Sequence, residues 1–278
     1  MSESDWLRTG IGAAETDSIS VRGRDLATEL MGRVTFTELA FLLVQGRMPT
    51  EKQTRVLDAV LVSLADHGLT PTVLAARLTY TGAPESLQGA VAAGLLGGGT
   101  VFLGVVEDTA AFLGTILEAA GPDCSDEHLR QLADEAVRSR IAEGARIPGL
   151  GHPIHKVEDP RTGRIYAIAE ENGLLGPHLR ALREVAAAHR RQSGKALPVN
   201  GAGVAGAALA DLGFPAGLVR GFALLARTAG LVAHLAEEMA HPLGMPLFLE
   251  VDRRAVYDPS ASDPERGRGQ DTALDQAP

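Results

Sequence analysis

The stretch from Pro215 to about Ala240 reads as one long helix, and it limits the possible folds more than any other segment. Leu218, Val219, Phe222, Leu225 and Val232 give it surfaces to pack. Arg220, Arg227, His234 and His241 are each seven residues apart, so on one helix they form a stripe that drifts by about 20° per step. Two readings of that stripe are open. It is a solvated polar face paired with Glu237 and Glu238, or Arg227, set among Leu224, Leu225 and Ala226, points into a cleft. So apolar a setting demands an anionic partner, and a substrate carboxylate would serve.

The rest of the chain reads as helices with almost no strands. Thr35-Phe36-Thr37-Glu38 fits a capping box ahead of the apolar run Leu39 to Leu43. Pro49-Thr50-Glu51 opens a helix carrying Val56, Leu57, Val60, Leu61 and Leu64, which Gly68 stops. Further helices start near Pro84, Asp126 and Pro177, with Gly144, Gly173 and Gly194 as stops. Only 4% of residues are aromatic while 45% are apolar, so the core is Ala, Leu and Val, which suits close-packed helices better than a β-sandwich. At 278 residues the chain can form one large domain or two unequal ones. The tail after Tyr257, residues 258–278, is polar and rich in Pro, Gly and Ser, and is expected to be disordered.

A net charge of −9 without a dense basic run argues against a nucleic-acid partner. The single Cys124 excludes an internal disulfide framework, and the N-terminus has no signal pattern, so the expected location is cytoplasmic. Gly89 to Val106 is an uncharged run of 18 residues, of which six are Gly. A membrane span would tolerate those glycines poorly, so the run is expected to be a buried helix ending in a glycine loop, with no membrane partner.

Gly201-Ala-Gly203-Val-Ala-Gly206 formally matches the dinucleotide fingerprint. It lacks a confident preceding strand, and Asp211 comes too early and Glu237 too late to hold a ribose. Close backbone approach at a helix start explains the glycines instead. Gly149-Leu-Gly-His152-Pro-Ile-His155-Lys156, followed by Asp159-Pro160-Arg161, places two His, a Lys and an Arg within thirteen residues of broken chain. Such a loop can surround a ligand, pair carboxylates or polarise a carbonyl; the alternative is a solvated surface turn. No Cys pair or His-rich segment completes a zinc site, so no metal is expected.

Several segments together resemble the citrate synthase superfamily. Ile19-Ser-Val-Arg22-Gly23-Arg-Asp-Leu, Phe36-Thr-Glu-Leu-Ala-Phe-Leu-Leu and Gly46-Arg-Met-Pro49-Thr50 resemble its opening. Leu64-Ala-Asp66-His67-Gly68 resembles its next His signature. Gly151-His152 with Asp159-Pro160-Arg161 resembles its central loop, and Ala226-Arg227-Thr228-Ala-Gly230-Leu-Val-Ala-His234 its last motif. The resemblance spans roughly residues 15 to 250. The short length and the segment Gly94 to Gly104 look more like stand-alone citryl-CoA lyases, and the matching module of ATP-citrate lyase, than full-length citrate synthase.

The resemblance implies an all-α homodimer whose subunits have a large and a small domain with the active site between them. By motif position, 1–102 and 207–257 form the large domain and 103–206 the small one. It implies that His67 contacts an oxaloacetate-type acid and that His152 hydrogen-bonds its carbonyl or the product hydroxyl. Arg161 and Arg227 hold its carboxylates, and Asn200 is a further candidate on the substrate side. A coenzyme A thioester is the co-substrate, and no tightly bound cofactor is implied.

The departures from the family pattern are specific. Phe102 stands where citrate synthases place a His that polarises the thioester. The catalytic Asp of the family's Asn-Val-Asp-Gly context becomes Ala202, or Asn200 with a shifted gap, and neither is a base. A third Arg, expected just before a Pro, appears as His241. The expected chemistry is therefore a citryl-CoA lyase-like or citrate synthase-like step with a rebuilt thioester half. In the cleavage direction His152 would take the hydroxyl proton, and His155 is the candidate donor to the enolate, the alternative being a structural loop histidine. A relative acting on another β-hydroxyacyl-CoA, and a non-catalytic binder of a dicarboxylate or CoA ester, are the other classes.

Overall fold

The computed structural model describes residues 7–258. From residue 259 onward the tail expected to be disordered lies outside the described residues. The fold opens with a small antiparallel sheet, β1 (Gly12–Ala14), β2 (Ile19–Val21) and β3 (Arg24–Asp25), in that order. Its register pairs Gly12 with Val21 and Ser20 with Asp25. The β2–β3 turn is Arg22-Gly23, both at positive φ, and Arg22 Nε donates to Leu43 O at 2.9 Å. That bond fastens the sheet to the C-terminal end of the first helix, where unpaired carbonyls favour a cation.

After the sheet and a short π-helical turn (Leu26–Leu30) every regular element is an α-helix, apart from one isolated bridge between Leu150 and Val199. The helices are α1 (Phe36–Gln45), α2 (Glu51–Ala65), α3 (Pro71–Gly82), α4 (Leu87–Leu96), α5 (Val105–Ala120) and α6 (Asp126–Ala142). They continue with α7 (Pro160–Glu171), α8 (Pro177–Ser193), α9 (Gly201–Asp211), α10 (Ala216–Ala240) and α11 (Gly244–Arg254). Thr35 and Glu38 close the capping box expected before α1, and Thr50 closes a second with Gln53 before α2. Each such cap is worth about 1 kcal/mol.

The main core joins α2 (Val56, Leu57, Val60) to α5, α8, α9 and α10. A second cluster, Val73, Ala76, Ala90, Leu231 and Leu235, seals α3 and α4 onto α10. Phe214 bridges the end of α9 to α1 and α10, with ring centroids 5.3 Å from Phe41 and 4.2 Å from Phe222. α9 lies at the centre and is buried on all sides from Gly203 to Leu209. Its glycines are contact points: a Cβ on Gly203 would strike the Gly149 backbone, and one on Gly206 would strike the Val106 carbonyl. Close approach, not nucleotide phosphate, accounts for that glycine pattern.

The run from Gly89 to Val106 departs from expectation. It holds all of α4 beyond its first turn, a string of turns, and the start of α5. Only Ala90 and Gly94 of α4 are buried, and Leu96 and Val101 are exposed. α3 and α10 cover α4 on one side only, so an apolar sequence here is half solvated. Among the described residues α10 alone has the length and apolarity to cross a membrane, and it packs instead against α2, α3, α4, α5 and α9.

The contrast among glycines gives a stability test. Gly206→Ala drives a methyl into backbone between α5 and α9 and is expected to cost about 1–3 kcal/mol. Gly221→Ala, on the exposed face of α10 with open space around it, is expected to gain about 1 kcal/mol. Thermal denaturation of the two variants should move Tm in opposite directions.

Candidate active site

Three histidines from two distant segments meet. His67 follows α2, and His152 and His155 sit in the loop between α6 and α7. Ring centroids lie 5.3 Å apart for His67–His152, 5.6 Å for His67–His155 and 4.4 Å for His152–His155. The loop is held by the residues just ahead of α9. Gly151 N donates to Pro198 O at 2.8 Å, and Asn200 N donates to Gly149 O at 2.9 Å. Gly149 and Gly151 have φ of 82° and 80°, which a side chain would strain.

Asn200 completes this clamp. Its Nδ2 donates to Gly151 O and its Oδ1 accepts from Gly203 N, both at 2.8 Å, capping α9. The side chain is 8% exposed. The structure thus puts Asn200 behind the histidine loop with both amide atoms engaged in holding Gly151 and α9.

His152 is fixed in one tautomer. Its Nδ1 accepts from Ile154 N at 3.1 Å and His155 N at 3.0 Å. Two backbone donors aimed at one nitrogen require a lone pair there, so the neutral ring carries its proton on Nε2. Burial, then the neighbouring His155, pushes its pKa down to about 4; Arg161 and His67 act the same way, and Asp159 opposes them. At neutral pH His152 is an uncharged N–H donor. Its one lone pair faces the backbone, which leaves Nε2–H as the group it presents outward.

The same fact bears on metal binding. The ring nitrogens of His67, His152 and His155 come within 4.8 Å of one another, a spacing that would suit a metal. Metal on Nε2 of His152 would require the proton to move to Nδ1, against two N–H donors. The donor set does not fit.

Two arginines complete the site. Arg161, in the first turn of α7, donates Nε to Asp159 Oδ1 at 2.9 Å and Nη2 to Oδ2 at 2.7 Å. Asp159 is fully buried and also accepts from Gly201 N at 2.7 Å. Burial alone would raise its pKa, but the Arg161 and Gly201 hydrogen bonds together hold it well below the usual carboxylate range. A Cβ on Gly201 would collide with the Arg161 guanidinium, so glycine lets the two helix starts meet.

Arg227, midway along α10, is 5% exposed. Its one hydrogen bond is a long 3.5 Å contact from Nη1 to Thr70 Oγ1, and its buried Nε has no partner. Among the described residues no carboxylate lies within ion-pair distance of it. Burial lowers its pKa; the charge of Asp66 opposes this and that of Arg161 adds to it, so the two guanidinium groups feel each other. A cation so placed is unfavourable until an anion joins it.

The α10 stripe therefore divides. Arg220 pairs with Glu107 at 2.7 Å, and His234 with Asp66 at 2.9 Å. Asp66 also accepts from Gly68 N, and Gly230 packs on the Ala65 carbonyl, which ties the His67 turn to α10. His241 is exposed at the end of α10. Ala202 is half-buried in the first turn of α9, and Phe102 is 43% exposed in the turn before α5. A groove of about 390 Å³ beside His178, Glu118 and Phe214 includes none of these residues.

The predominantly helical fold and this cluster of histidines and arginines are those of a citrate synthase-like protein. The family described as citrate synthase, C-terminal domain, matches residues 49–245, and the chain belongs to that family. It is 28% identical over 200 residues to "Putative citrate synthase 2" of Mycobacterium tuberculosis (strain ATCC 25618 / H37Rv), covering 68% of this chain and 49% of that protein. It is 28% identical over 210 residues to citrate synthase of Acidithiobacillus ferridurans, covering 71% and 50%. The chain spans about half the length of these curated relatives. Its structure is similar to citryl-CoA lyase from Hydrogenobacter thermophilus, with a TM-score of 0.80 and 32% identity over 90% of this chain and 94% of the other. ATP citrate lyase from Methanothrix soehngenii, solved with citrate and coenzyme A, shares the fold at a TM-score of 0.75 and 22% identity, over 91% of this chain and 42% of that one.

The depressed pKa of His152 has a sign that can be checked. Its folded value of about 4 lies below the ordinary 6.5, so between those pH values the unfolded chain binds more protons. Stability should therefore rise with pH across that window, and His152→Gln should flatten the rise in denaturant titrations.

Proposed function

We propose that this chain makes or breaks a carbon–carbon bond between an oxaloacetate-type keto acid and an acyl-CoA, with citryl-CoA cleavage as its reaction. The observation that carries this reading is Arg227, a buried guanidinium without a counter-ion among the described residues, whose charge is felt by Arg161, which in turn acts on the N–H-donating His152. Arg227 and the remaining face of Arg161 would hold carboxylates. The Nε2–H of His152 would hold the oxygen that alternates between keto carbonyl and tertiary alkoxide, and such a donor stabilises the charge that develops there. His67 would contact the same acid from the α2 side. The coenzyme A thioester enters as a co-substrate, and no tightly bound cofactor is needed.

The likeness to a citryl-CoA lyase over nearly the whole of both chains supports this reading. The proposal includes a two-domain cleft, 1–102 and 207–257 against 103–206, and a homodimer. Met245, Phe248 and Leu249, about half exposed on one face of α11, offer an apolar surface for self-association. Ala202 in place of the expected Asp favours a second reading, a binder of dicarboxylate or CoA ester without turnover.

Incubation with citryl-CoA followed by mass spectrometry separates the two. Oxaloacetate and acetyl-CoA should form, and Arg227→Met should weaken oxaloacetate binding by about 10–100-fold, the scale of a charge-assisted hydrogen-bond set. Intact citryl-CoA with tight acid binding would favour the binder. Sedimentation should show a dimer that Phe248→Glu converts to monomer.

A further inference from the structure

We propose that His155 carries one proton from the substrate's tertiary hydroxyl to the thioester enolate, replacing the carboxylate that this chain lacks at Ala202. The proposal rests on the cleavage reaction above and names the group that moves its proton. His152 is disqualified by its geometry, because its only lone pair is held by the N–H groups of Ile154 and His155. Ala202 has no titratable group, and Asn200 has both amide atoms engaged. Asp159 is fully buried beneath Arg161 and Gly201 N. Among the described residues of the cluster, His67 and His155 remain, and no hydrogen bond engages either ring.

Position favours His155. Its ring lies against that of His152 at 4.4 Å with the planes 30° apart, whereas His67 approaches from another segment at 5.3 Å. One ring nitrogen of each of the three lies within 4.8 Å of the others, so a small ligand held at this cluster meets the imidazoles of both His152 and His155. Of the two neighbouring imidazoles, His155 also acts more strongly on His152. The backbone N–H of His155 fixes the His152 tautomer, so one residue orients the donor and presents the base. Imidazole is the side chain suited to accepting and returning a proton near neutral pH.

The step balances without a co-reactant. The hydroxyl proton passes to a ring nitrogen of His155, and the oxygen becomes a carbonyl as the adjacent carbon–carbon bond breaks. The electron pair goes to the thioester enolate. The proton on His155 then joins the enolate carbon, giving the acetyl thioester and restoring the neutral ring.

The test measures citryl-CoA cleavage and oxaloacetate affinity for the parent chain, His155→Ala and His67→Ala. His155→Ala should cleave about 10²–10⁴-fold more slowly, the usual worth of a general acid–base group. Its oxaloacetate affinity should match the parent, and free imidazole should restore part of the rate, which a structural role would not permit. His155→Ala cleaving at the parent rate, or imidazole rescuing His67→Ala and not His155→Ala, would overturn the proposal. A parent chain that binds oxaloacetate and leaves citryl-CoA intact would overturn the cleavage reading and the shuttle with it.

Discussion

The site is organised around one buried carboxylate. Asp159 caps α7, receives the Arg161 fork and accepts the first N–H of α9 through Gly201. Two helix N-termini, each with unpaired N–H groups and a positive end of the peptide dipole, converge on it. Removing it would leave Arg161, the start of α7 and the start of α9 without a shared anchor. The loop that carries His152 leads directly into this anchor, and the Asn200 clamp ties the loop's other end to the same turn of α9.

This arrangement sets the charge balance. Asp159 neutralises Arg161, Asp66 pairs with His234, and Glu107 pairs with Arg220. Among the described residues Arg227 is left as a buried cation with no carboxylate within ion-pair distance. A small protein interior tolerates such a group poorly, since desolvation of a charge costs several kcal/mol after relaxation. Arg161 links the two parts of the cluster, since its charge acts both on Arg227 and on His152, and the uncharged His152 adds no third positive charge.

Family resemblance and geometry part company at the positions of Ala202, Phe102 and Asn200. His67, His152, His155 and Arg161 gather in one place, while Ala202, half-buried in the first turn of α9, and Phe102, 43% exposed before α5, offer neither a carboxylate nor an imidazole. Asn200 shows what a motif position cannot reveal by itself. Its two amide atoms hold Gly151 and cap α9, which ties the histidine loop to the start of that helix.

What the sequence determined by itself is local. Thr35 with Glu38, Pro177 with Gly194, and Pro215 marked the helices they bound because caps, fixed proline φ and left-handed glycine act over a few residues. Candidate chemistry was also visible, since few residue types can clamp carboxylates or transfer protons. Only the tertiary structure decided which candidates meet and in what state. His67 joins His152 and His155 through the packing of α2 against α7 and α9, and the His152 tautomer follows from two backbone N–H groups that no side-chain pattern encodes. The half-solvated face of α4 was hidden for the same reason: composition records that a segment is apolar, while burial depends on which neighbours arrive to cover it.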